Sequence, residues 1–95
     1  MRILDLAALP HRPIDGNGSK GFSVGAFGIS ADAHLIAVSL APGGTIGRHP
    51  AAGRQLLLVL SGEAEVAGAE GDVRHLTAGL AAVWEPGESH ETRSP

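Results

Sequence analysis

The chain has no cysteine. That excludes disulfides, thiolate metal sites and a thiol nucleophile, and it fits a cytoplasmic protein. Aromatic residues make up only 3% of the sequence, so any core must be built from alanine and aliphatic side chains. No apolar run approaches the ~20 residues of a membrane span. The opening MRILDLAALP is broken by Asp5 and ended by Pro10, too short and too interrupted for a secretory signal. Seven basic residues stand against ten acidic ones, for a net charge of -3. They form no run and have no aromatic interleaving, which argues against nucleic acid and against an anionic membrane as partners.

What is present reads as one domain over residues 1–95. That length supports one small core and not two. Residues 11–21, HRPIDGNGSKG, are rich in glycine, proline and polar residues and read as a loop. Short apolar segments follow at 22–29, 34–41, 55–60, 63–67, 73–77 and 80–84. Spacings of roughly 8–12 residues with turn signals between them predict an antiparallel β-sandwich or barrel. Pro42-Gly43-Gly44, Ser61-Gly62 and Ala69-Glu70-Gly71-Asp72 supply the turns. No segment has a capped helical period.

The run GTIGRHPAAGRQLLLVLSG, Gly44 to Gly62, is answered by GLAAVWEPGESH, Gly79 to His90. In the first, His49 follows Gly43 after five residues, and Gly62 closes the run. In the second, Gly79, Gly87 and His90 stand in order. The two stretches, about 43–62 and 79–94, resemble the two motifs of the cupins, and the whole is similar to small single-domain cupins of unassigned activity. The resemblance implies an all-β fold, a cupin-type sandwich or jelly-roll barrel with antiparallel strands. It also implies a site inside the barrel. The family pattern gives a divalent ion three imidazoles and one glutamate. Here His49 and His90 match, Ala51 stands at the second histidine position and Gln55 at the glutamate position. In the second motif Glu85 stands at the proline position, with Pro86 just after, and Ser94 stands at the asparagine position.

Strand alternation places residues 49, 51, 55, 57 and 59 on one face if no bulge intervenes. His49 and Gln55 would then point inward above Leu57 and Val59, with Leu56, Leu58 and Leu60 on the other face. Two apolar faces suit a strand covered on both sides, by a partner subunit or by the N-terminal segment. The expected metal set is His49, Gln55 and His90, with Leu57, Val59, Trp84 and Glu85 lining a ligand pocket. The ion would be Zn, Ni, Fe or Mn. A neutral amide for a carboxylate weakens any such site, and Glu85, Glu88 and Glu91 are the carboxylates that flank His90. Beside this stands the plainer reading of a hydrogen-bonded histidine pair left from a lost site, a wall amide at Gln55 and wall packing at Trp84. His11, His34 and His75 read as surface or strand residues. Arg48 and Arg54 read as solvated.

Gly21-Phe22-Ser23-Val24-Gly25 fits a hydrolase nucleophile pattern, but such an elbow needs a strand-turn-helix in a large parallel sheet. No catalytic residue is assigned. The expectation is a small-molecule-binding protein with a degenerate metal site. The alternatives are a metal-dependent enzyme of dioxygenase, isomerase or lyase type and a structural barrel without ligand. Few residues follow His90, which predicts an open sheet edge. Residues 2–6, RILDL, alternate as a covering strand should. The expected assembly is a homodimer with these strands on the partner's sheet, and the competing expectation folds them back on their own chain.

Overall fold

The computed structural model describes residues 1–26 and 32–95. Among them are nine strands: β1 (Arg2–Asp5), β2 (His11–Ile14), β3 (Phe22–Gly25), β4 (Thr45–Pro50), β5 (Gln55–Leu58), β6 (Glu63–Ala67), β7 (Val73–Thr77), β8 (Leu80–Trp84) and β9 (Ser89–Arg93). Two short 3-10 turns, Leu6–Ala8 and Gly16–Gly18, are the only helical pieces among the described residues. Every strand pair is antiparallel, as the all-β reading requires. One sheet runs β1-β8-β5, a second β4-β9-β6-β7, and β2 and β3 form a separate hairpin.

The core lies between the two larger sheets, and alternation explains who enters it. Ile3, Ala82 and Leu57 stand side by side across β1, β8 and β5. Ala82 belongs to the core cluster, together with Ala51, Val59, Ala64, Val66, Leu76 and Trp84, and Ile3 and Leu57 pack against it. The opposite face of that sheet carries Leu4, Ala81 and Leu58 in one row and Arg2, Val83 and Leu56 in the next. β8 is therefore apolar on both faces, and its Ala81, Ala82, Val83 and Trp84 are all buried. The pairing of β5 with β8 continues past the strand end, because Val59 N–H donates to the Leu80 carbonyl and Gly79 N–H donates to that of Val59. Gly79 takes φ +89 at this turn, a conformation open to glycine at little cost.

The strands expected at 63–67, 73–77 and 80–84 lie at those bounds, and the one at 55–60 is trimmed to β5. Three expectations need correction. Residues 11–21 are not all loop: His11–Ile14 pairs with Phe22–Gly25. Pro13 sits within this strand, which a hairpin with two open edges tolerates because proline withholds only an outward N–H. Residues 34–41 form no strand, and 34–39 are exposed. Their β-rich sequence lacks a neighbour among the described residues, and an extended segment without ladder bonds is not stable alone. The strand expected at 22–29 ends at Gly25, and its residues 27–29 lie outside the described residues. No missing strand leaves an edge after His90, since β9 carries that histidine and pairs with both β4 and β6.

Residues 2–5 do form a strand, and it pairs with β8 of its own chain, Arg2 opposite Val83 through Asp5 opposite Leu80. The covering role expected for it on a partner's sheet is thus already taken up within the chain. No helix among the described residues is long and apolar enough to cross a membrane.

Candidate functional site

The site forms where β4 meets β9. Thr45 faces Arg93 and Ile46 faces Thr92, but His49 faces His90. Three residues on β4 span two on β9, so β4 carries one extra residue between Ile46 and His49. Such a bulge reverses the alternation of the bulged strand. It turns His49 to the side occupied by Ile46, against the inward-facing His90. Gly47 within a strand pattern is the sequence signal for it.

The two imidazoles meet: their ring centroids are 4.5 Å apart, tilted at 54°. His90 is buried, whereas His49 is exposed. Each ring is fixed by its own backbone. His49 Nδ1 lies 2.6 Å from the Gly47 carbonyl oxygen, and His90 Nδ1 lies 3.1 Å from that of Glu88. A carbonyl only accepts, so each neutral ring carries its proton on Nδ1 and presents the Nε2 lone pair. Neither Nε2 has a hydrogen-bond partner among the described residues. Anchoring one ring nitrogen on a carbonyl is the usual support for a ligating histidine.

Behind His90 stands Trp84, stacked at 4.4 Å between centroids and 27° between planes. Its indole Nε1 is the one fully enclosed side-chain polar atom without a partner among the described residues. Trp84 thus backs the histidine and fills the interior beside it.

The third residue of the expected metal set, Gln55, comes from the other sheet. The assumption that residues 49 to 59 run along one strand fails, because β4 ends at Pro50 and β5 starts at Gln55 in the other sheet. The crossing is held at Ala51, whose N–H donates to the Glu88 carbonyl and whose carbonyl accepts from Gly87 N–H. Ala51 is 3% exposed and packs into the core cluster with Trp84, so no gap is left at the second histidine position. Gln55 is exposed; it faces Trp84 in the ladder and so lies on the rim of the same inner face. Among the described residues it makes no hydrogen bond to either imidazole. Of the expected pocket residues, Val59 and Trp84 are buried, Leu57 packs against the core and Glu85 is exposed.

The flanking carboxylates are occupied. Arg54 Nε donates to Glu85 Oε2 at 2.8 Å. Glu91 Oε1 lies 3.9 Å from Arg48 Nη2, while Arg48 Nη1 donates to the Gly68 carbonyl at 3.1 Å. Glu88 Oε2 accepts from the Met1 ammonium at 2.8 Å, and its Oε1 accepts from Glu85 N–H. Among the described residues no group of three or more His, Cys, Asp or Glu side chains is arranged to hold an ion. Sequence reasoning missed the Glu88–Met1 pair, which joins opposite ends of the chain and leaves no local pattern. His11 and His75 lie on exposed strand faces and His34 in the uncovered stretch before β4, as surface readings expect.

The ammonium, and after it the backbone N–H of Glu85, hold the Glu88 carboxyl below its ordinary value of 4.5. A lowered folded-state pKa contributes stability that is full above the unfolded value and is lost as pH falls through the folded one. Thermal unfolding from pH 6 to pH 3 should therefore show a falling midpoint below about pH 4.5. The Glu88→Gln variant should lose part of that slope. An unchanged slope in the variant would remove Glu88 from the account.

A family model described as a cupin domain matches residues 37–95. No curated protein and no solved structure matches the chain.

Proposed function

This chain belongs to the cupin family, and from that premise we propose that it binds a small molecule at the His49–His90 pair, with the family's metal site reduced to these two donors. The observation that carries the reading is the matched anchoring of both Nδ1 atoms on main-chain carbonyls, which leaves two Nε2 lone pairs side by side. Two neutral acceptors suit a ligand that presents hydroxyl or amide N–H donors.

The donor set does not fit a resident catalytic ion. A dication held by the family pattern has an anionic oxygen among its ligands. Here Gln55 is neutral and rim-exposed, and Glu85, Glu88 and Glu91 face cations of their own. No reaction step follows from such a site. Two imidazoles still bind nickel or zinc weakly, which makes these ions useful probes.

Trp84 is the sole tryptophan and stacks on His90, so its emission reports on that ring. Nickel titration should give saturable quenching with a Kd weaker than about 10 μM, or less than about 7 kcal/mol. His49→Ala, an exposed change, should abolish the saturable phase without unfolding the protein. Untagged protein that retains one equivalent of metal after dialysis would refute the reading in favour of a metalloenzyme. Quenching unaffected by His49→Ala would place the ion elsewhere.

A further inference from the structure

Asn17 is the sole asparagine of the chain, and Gly18 follows it. Asp15 and Gly16 come just before, so the turn between β2 and β3 contains the run DGNG. An asparagine followed by glycine is where a peptide chain most readily attacks its own side chain. The glycine nitrogen is unshielded by a neighbouring side chain, and its bond to the asparagine Cγ closes a five-membered ring.

The fold leaves this pair unguarded. Asn17 is exposed, and its carboxamide makes no hydrogen bond among the described residues. It is also the one non-glycine residue there with a positive φ, 56° with ψ 29°. Gly18 follows at φ +73, and a Cβ built on it would meet nothing within 4 Å. Asparagine enters the left-handed region more easily than most residues, yet ring closure needs its ψ to turn away from 29°. Little resists that rotation. Glycines stand on both sides, and the main-chain bond across the turn, Ser19 N–H to the Gly16 carbonyl at 3.1 Å, joins two residues of which neither is buried. No residue from 11 to 25 is buried, and β2 and β3 pair only with each other. Segments of this kind open locally at small cost in free energy.

We infer that Asn17 is a site of spontaneous covalent modification, and that its main product loosens the β2–β3 hairpin. When the turn opens, the Gly18 main-chain nitrogen bonds to Asn17 Cγ. The Cγ–Nδ2 bond breaks, and ammonia leaves with the proton of that nitrogen. Water then opens the cyclic imide. Cleavage between Cγ and the nitrogen gives aspartate. Cleavage between the Asn17 main-chain carbonyl carbon and the nitrogen gives isoaspartate, in which the chain runs on through Cβ and Cγ. The net change is one water in and one ammonia out. Either product adds a negative charge to the net -3. Isoaspartate also lengthens the backbone between Gly16 and Ser19, so the hydrogen bond that joins them loses its geometry. A two-stranded hairpin is marginal in water even with an intact turn. The core stays out of reach, because every buried residue lies at Ala51 or beyond. The inference is independent of what the histidine pair binds.

The full chain, aged at mildly alkaline pH, should release ammonia toward one equivalent and gain a more acidic band on isoelectric focusing. Gln55 is the only other carboxamide side chain; its extra methylene and its Leu56 neighbour disfavour the ring, so the ammonia reports on Asn17. Imide formation at Asp15 expels water and leaves the charge unchanged, so neither readout confuses the two. Peptide mapping should find both isoaspartate and aspartate at position 17, the signature of a cyclic intermediate. Gly18→Ala should slow the release at least tenfold by crowding the attacking nitrogen. In the aged chain, hydrogen exchange should quicken in β2 and β3 and stay unchanged in β6, β8 and β9. A chain that keeps its ammonia while a free peptide of residues 11–25 loses it overturns the inference, because the fold would then guard the turn. So does aspartate alone at position 17, or a rate indifferent to Gly18→Ala, since either means direct hydrolysis. Undiminished protection of the hairpin amides in the isoaspartyl form overturns the structural consequence.

Discussion

Trp84→Ala should lower the unfolding free energy by about 3–5 kcal/mol, the range for removing a buried large aromatic. Total stability of a domain is about 5–15 kcal/mol, so the loss is a large fraction of it. The expectation rests on burial: Trp84 is 1% exposed, the largest of the fully buried side chains, in a core otherwise made of small and aliphatic residues. Trp84→Phe separates packing from polarity. It removes an enclosed N–H that has no partner, whose burial costs about 1–3 kcal/mol, while it keeps an aromatic ring against His90. Chemical denaturation should therefore place Trp84→Phe much nearer wild type than Trp84→Ala. Equal losses in the two would mean that the indole N–H is satisfied in solution, and a loss below ~1 kcal/mol for alanine would mean that the core does not close around this ring.

The second large effect concerns the missing charge. Gln55→Glu adds an anionic oxygen on the rim of the face that carries Trp84 and His90, and the position is exposed, so the change is structurally mild. Calorimetry should show zinc or nickel affinity raised by more than tenfold, or about 1.4 kcal/mol. Ala51→His is a different matter. The sequence alone makes it the natural partner repair, but Ala51 is enclosed in the core cluster with Trp84. A bulky side chain there overpacks the interior at about 1–3 kcal/mol. The double variant should bind metal more tightly than wild type only where it remains folded, and its melting midpoint should fall. Equal metal affinity in wild type and Gln55→Glu would show that position 55 does not reach the histidine pair.

The strands at 63–67, 73–77 and 80–84 were legible because turn signals bound each of them, as in Glu63–Ala67, where Ala64 and Val66 point to the core, whereas Ser89–Arg93 holds no apolar residue and shows no such pattern. The pairing of His49 with His90 was legible through motif spacing, although by an incorrect route. The face count held only without a bulge, and the structure has one between Ile46 and His49 and a change of sheet after Pro50. Gln55 was placed with the histidines on that same count, and the structure sets it at the rim. The commitments of Glu85, Glu88 and Glu91 were not legible, since each depends on which cation the tertiary fold brings alongside. The reading of 34–41 as a strand took local β propensity as sufficient, whereas a strand exists only where something pairs with it.

The position of β8 and β9 also sets the order of assembly. β8 lies between β1 and β5, and β9 between β4 and β6, so the central strand of each large sheet is among the last parts of the chain to be made. Arg2 waits for Val83 and Ile3 for Ala82, a delay of several seconds at about 5–20 residues per second of synthesis. Until then neither sheet has its middle, and β1, β4 and β5 have nothing to pair with. The nascent chain thus has no stable partial fold to rest in, and folding becomes a late event dominated by distant contacts, the regime of milliseconds to seconds. For the same reason a chain stopped before Ser89 would break one sheet in two, because β4 would no longer be joined to β6 and only the β6-β7 pair would remain.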